Sequence, residues 1–225
     1  MSGWRDMLRA RTNEEAARRR FGLWALCALV VLLPLWWWVG ADLAAAVLRP
    51  ITGLFVRLFG LTGEIRTASD GGWLMGTRLP TASGEPYFQP LSHEMIRRML
   101  LTAPLLAAFL IAPPRTVRPW RALGVGVLVT AGLFLVSATA VTWGEIAPML
   151  NPALAPEPGA AASLVGQPLN PVAAQVALLG RYLGLSVGPL AAAITTWAVL
   201  NPAGREALLG GLDETPAGGA PDAGA

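Results

Sequence analysis

The chain has 225 residues, of which 54% are hydrophobic and only 14% charged. Soluble domains carry about 25% charged residues, so this composition is one for lipid. The net charge of +3 rests on 17 basic residues, all arginine, and these cluster at the ends of apolar runs. That placement fits the bias of positive charge toward the cytoplasm and argues against nucleic-acid binding.

Residues 1–20 form a basic leader with six arginines, and Thr12, Asn13, Glu14 and Glu15 read as a helix start. Arg18, Arg19 and Arg20 then stand against about twenty uncharged residues, 21–40. That is the length needed to cross a hydrocarbon core of about 30 Å at about 1.5 Å per residue. Arg-Arg-Arg-Phe before an apolar run also suggests a twin-arginine export signal, with Val39, Gly40 and Ala41 as the cleavage site. The run is long for a signal, and Trp36, Trp37 and Trp38 make an interfacial belt. Residues 21–40 are therefore expected to stay as the first span.

Asp42 marks emergence on the outer side. The next stretch is apolar but interrupted by Arg49, Pro50 and Arg57. It predicts a helix along the outer membrane surface, with Leu43, Val47, Leu54 and Leu58 on its apolar face. Two short β-compatible runs flank Ser69, Asp70, Gly71 and Gly72, which predicts a β-hairpin. Pro80, Gly84, Pro86 and Pro90 then predict a loop back to the membrane. Residues 41–95 are thus one extracytoplasmic region.

A second span is predicted at 96–112, with a short uncharged core that begins at Met99. Arg115, Arg118 and Arg121 make 113–121 a cytoplasmic basic turn. The third span, 122–144, carries small residues Gly124, Gly126, Gly132, Ser137 and Ala140 for close packing, with Trp120 and Trp143 at its ends. Residues 145–171 form an outer loop, and Asn170-Pro171 caps the fourth span, 172–200. There, Gly184, Gly188 and Ala192 repeat at four-residue spacing. Residues 201–225 are predicted to be a disordered cytoplasmic tail. The fold class is an all-α membrane protein: four transmembrane helices, an outer interfacial helix and a small β-hairpin in the first extracytoplasmic loop. Both termini are expected inside.

Chemistry is sparse. Cys27, the single cysteine, rules out an internal disulfide. It and His93 would be a thiol and a base, but they fall near opposite faces of the membrane. His93, Glu94, Arg97 and Arg98 form a charged cluster at the outer end of the second span, with His93 and Arg97, and Glu94 and Arg98, at i,i+4. The cluster reads as an interfacial cap, as a contact site for a partner or substrate segment, or as an acid–base site. Arg181 either snorkels to the outer surface or pairs with Glu94 or Glu145. Trp73, in the predicted hairpin, is a further candidate contact. No zinc spacing, phosphate loop or nucleophile elbow is present, so no metal, cofactor or catalytic residue is expected.

Three stretches carry a family resemblance. One is Leu33-Pro34-Leu35-Trp36, continuing through Leu48-Arg49-Pro50. Another is Gln89-Pro90-Leu91, leading into Ala103-Pro104-Leu105-Leu106 and Ala112-Pro113-Pro114-Arg115. The last is Leu179-Gly180-Arg181-Tyr182-Leu183-Gly184, through Pro189 and Trp197 to Leu200-Asn201. On these the chain resembles the exosortase H-associated membrane proteins, small inner-membrane proteins of Gram-negative bacteria. They accompany an exosortase, a membrane enzyme that processes proteins with a carboxy-terminal sorting signal. The resemblance implies a non-catalytic accessory role, with the exosortase or its sorted substrate as partner and the bilayer as solvent. It supplies no functional residues. The residues leave two other readings open: a small membrane enzyme using His93, Glu94 and Arg97, or a structural subunit of another envelope complex.

Overall fold

The computed structural model describes residues 3–116, 118–151, 154 and 164–209, with side chains from residue 16 onward except 207 and 209. Most of the predicted outer loop beyond 151, and the tail beyond 209, lie outside the described residues. Helix α1 (Gly3–Leu35) passes through a π-helical turn (Trp36–Gly40) directly into α2 (Ala41–Arg57). Thr12 is therefore a mid-helix residue and not an N-cap: the Ala- and Arg-rich leader is helix-forming on both sides of it. Gly40 makes the π turn possible, because a Cβ there would lie 2.5 Å from the Trp36 ring.

Helix α2 buries Ala41, Ala45, Leu48, Thr52, Gly53 and Val56. Its other side exposes Leu43, Val47, Ile51, Leu54 and Leu58, at 49 to 79%. These recur every three or four residues and so form one apolar stripe. The arginines that interrupt the pattern turn toward the sheet. Arg49 donates to Thr67 Oγ1 (2.7 Å) and to the Ile65 carbonyl, and Arg57 Nε donates to the Thr62 carbonyl.

The predicted hairpin is present, and its return segment is a strand rather than a loop. Strands β1 (Ile65–Thr67), β2 (Trp73–Pro80) and β3 (Pro86–Leu91) form an antiparallel sheet in the order β1-β2-β3. Pro86 and Pro90 are tolerated because β3 is an edge strand, where a missing N–H need not cost a ladder bond. The register slips between Gly76 and Pro80. The Thr81–Glu85 turn closes with Gly84 at φ +83° and Thr81 N donating to the Glu85 carbonyl at 2.8 Å. Met75 and Leu91 are buried, and Trp73 meets Phe134 edge-on at 5.6 Å.

The predicted second span is broken. Helix α3 (His93–Met99) ends at Leu100, and α4 (Thr102–Ile111) follows. Ten residues rise only about 15 Å, half a hydrocarbon core. Together the two pieces run antiparallel to α1. His93 and Arg97 meet Asp42, and Ala103 and Pro104 share a cavity with Leu32 and Leu35. At the far end, Phe109 stacks on Phe21 at 6.3 Å.

Helix α5 (Pro119–Leu150) packs antiparallel against α6 (Pro171–Tyr182), a second π turn (Leu183–Val187) and α7 (Gly188–Leu200). Contact is close because a Cβ on Gly180 would fall 2.9 Å from Ala140, and one on Gly144 2.7 Å from the Ala177 carbonyl. Of the predicted small-residue positions, Gly126, Ser137 and Ala140 lie in helix contacts, whereas Gly124 and Gly132 face open space. Asn170 caps α6 as expected, accepting from Val172 N at 2.9 Å. Residues 202–209 were expected to be tail; they form a short helix, α8 (Pro202–Leu209). Buried Asn201 accounts for this: its side chain caps that helix at Gly204 N and donates to the Pro114 carbonyl.

Among the described residues, three continuous helices are long and apolar enough to cross a membrane: Ala16–Arg57, Pro119–Leu150 and Pro171–Leu200. The molecule has two unlike ends. A basic end gathers Arg115, Arg118 and Arg121 beside Leu200 and Asn201. A sheet end gathers β1–β3, α2, α3 and the adjoining halves of α5 and α6.

Candidate functional site

The candidate residues at 93–98 sit where β3 hands over to α3. Ser92 stops the strand and caps the helix, accepting from Met95 N at 3.3 Å. Glu94 then lies in the first turn and Arg97 and Arg98 in the last, the charge order that the helix dipole favours. The Ser69–Gly72 turn folds over this junction. Gly71, at φ +81°, presents its α-carbon to the His93 ring, where a Cβ would come within 3.4 Å of Nδ1.

The centre of the cluster is a residue that the sequence reading left out of it. Asp42, in the first turn of α2, takes His93 Nε2 on Oδ1 at 2.6 Å. It also takes Arg97 in a two-pronged grip, Nη2 on Oδ2 at 2.9 Å and Nε on Oδ1 at 3.2 Å. The Arg97 guanidinium lies 5.5 Å from the Trp37 ring centroid, a cation–π contact. Residues 51 or more apart in sequence are thus clamped together, fixing α3 to the α1–α2 junction. Asp42 is the only acid between Glu15 and Glu64; that isolation, beside an aromatic belt, was the available signal.

The other candidates are spread out. Glu94 accepts from Arg98 at 2.6 Å, the predicted i,i+4 pair, and both are exposed. Arg181 Nε lies 2.7 Å from Glu145 Oε1, at an angle that makes it an ion pair rather than a hydrogen bond. It therefore takes the Glu145 alternative, not Glu94. Trp73 is corrected: at 4% exposure it is a core residue against Phe134, because strand alternation turns it inward. Nearby, burial raises the pKa of the Tyr87 phenol, with the Glu145 carboxylate adding to the effect. Cys27 is an exposed residue of α1, fifteen positions before Asp42 and so about 22 Å from the cluster. Among the described residues, no three or more His, Cys, Asp or Glu are grouped to hold a metal ion.

The arrangement is a clamp with an exposed polar rim, Glu94 and Arg98, above an apolar stripe. Residues 15–204 match the exosortase H-associated membrane proteins, nearly the whole described fold. The chain belongs to that family. The family's description makes it a membrane protein associated with an exosortase. No curated protein and no solved structure matches the chain.

Proposed function

We propose that this chain is a non-catalytic accessory protein of an exosortase-type sorting system, helping to recognise or present substrates at the outer face of the bacterial inner membrane. The observation that carries the reading is the family match combined with a sheet end that is clamped and exposed at once. The Asp42 clamp fixes α3 to α2, and the Glu94–Arg98 pair on α3 is exposed where a partner can meet it.

Topology supports it. The broken α3–α4 pair follows α1 from Asp42 to Phe21, about 30 Å along the helix axis, which favours a fourth crossing made in two pieces. The arginines of the basic end then belong in the cytoplasm, with both termini, and the sheet end lies outside. If solubilised protein retains an exosortase or a sorted substrate on affinity purification, the reading stands; recovery of neither from cells that carry both removes its support.

A second reading rests on one contact. A carboxylate holding an imidazole at 2.6 Å is also how a general base is oriented. Against it, Asp42 divides its oxygens between His93 and Arg97, and no hydroxyl or thiol hydrogen-bonds to His93 among the described residues. His93→Gln separates the two: sorting should survive it if the role is accessory, and should be lost if His93 moves a proton.

A further inference from the structure

The three arginines of the basic end converge on one cavity of about 420 Å³ between the start of α5 and the end of α7. Its lining combines Arg115, Arg118 and Arg121 with the apolar Val125, Val199 and Leu200. All three arginines are exposed. None has a carboxylate partner or a side-chain hydrogen bond among the described residues, whereas Asp42, Glu94 and Glu145 at the sheet end are each paired with an arginine.

The mount is rigid. Asn201, 1% exposed, donates to the Pro114 carbonyl at 2.7 Å and so pins the arginine loop to the end of α7. Arg118 is the N-cap of α5 and makes no side-chain cap. The first turn of that helix thus has no side-chain cap from Arg118 and lies beside the arginines, a second source of positive potential.

Around the cavity the surface is apolar. Trp120 is 83% exposed, and Leu123, Val127, Leu128 and Val199 are exposed on the adjoining helix faces. An anionic head with two acyl chains satisfies both halves of this surface; a free anion satisfies only the first, and an acidic peptide leaves the apolar half bare. We propose that this cavity is a binding site for the phosphate headgroup of an anionic phospholipid, in the leaflet at the basic end. Basic pockets between membrane helices take such headgroups through charge-assisted hydrogen bonds.

The test uses the full chain in mild detergent, with native mass spectrometry of bound lipid. The probes are phosphatidylglycerol and phosphatidylcholine of matched chains, inorganic phosphate, and a polyglutamate peptide. Phosphatidylglycerol should bind about tenfold or more tighter than phosphatidylcholine, with the preference shrinking in high salt. Arg115→Gln/Arg118→Gln/Arg121→Gln should abolish the preference, Arg118→Gln alone should reduce it, and Arg78→Gln, at the sheet end, should leave it unchanged. Equal binding of the two lipids overturns the proposal, as does a preference that survives the triple substitution. Displacement by millimolar inorganic phosphate reassigns the site to a free anion, and displacement by polyglutamate reassigns it to an acidic protein; either result also overturns the lipid assignment. Should the triple variant not fold, Arg118→Gln decides by the same measure.

Discussion

The two ends of the molecule solve the problem of charge beside lipid in opposite ways. At the sheet end, four acids are paired with cations: Asp42 with His93 and Arg97, Glu94 with Arg98, Glu145 with Arg181, and Glu64 with Arg66. At the basic end, Arg115, Arg118 and Arg121 line a cavity with no acid in its lining among the described residues. The sheet end is where geometry is held, and the basic end is where an anionic phospholipid headgroup is proposed to bind.

This contrast can be broken at graded cost. The largest effect should come from Trp73→Ala, which removes the ring joining the sheet to Phe134. A loss of about 3–5 kcal/mol is expected in denaturant unfolding of the detergent-solubilised protein. Next comes Gly63→Val. Gly63 has φ +77°, and a Cβ there would overlap the Gly53 carbonyl of α2. A cost of about 1–3 kcal/mol is expected, with α2 and β1 parting, read as faster amide exchange in 62–67.

Asp42→Asn should cost less, about 1 kcal/mol, because its carboxylate is partly exposed and water screens the pair. Its signature is local: amide protection in α3 should fall while α5 and α7 keep theirs. Arg98→Gln, removing an exposed i,i+4 pair, should cost under about 0.5 kcal/mol. An equal loss from Asp42→Asn and Arg98→Gln would erase the distinction between clamp and rim.

Much of this fold was legible in the sequence where one physical effect dominates. The uncharged runs at 21–40 and 122–144, and the apolar run at 172–200 with Arg181 as its one charge, announced long apolar helices, and the Asp-Gly turn announced a hairpin. The apolar stripe of α2 was readable from spacing alone. Residues whose role depends on a distant neighbour were not. Pro86 and Pro90 look like loop residues until β2 supplies a partner that leaves them on an edge. Thr12 resembles a cap only when the leader before it is taken as unstructured. Trp73 resembles a surface aromatic until Phe134 lies across from it. Asp42 stands out as an isolated acid beside an aromatic belt, but only the fold shows that it joins His93 and Arg97.

The central claim is that the sheet end meets the sorting partner while the basic end does not. It is tested by site-specific photo-crosslinking in living cells, with the reactive group at exposed Glu94 and, separately, at exposed Trp120. The account predicts a crosslink to an exosortase or a sorted protein from position 94, and lipid-only or absent protein adducts from position 120. Partner adducts from position 120 with none from position 94 would contradict it.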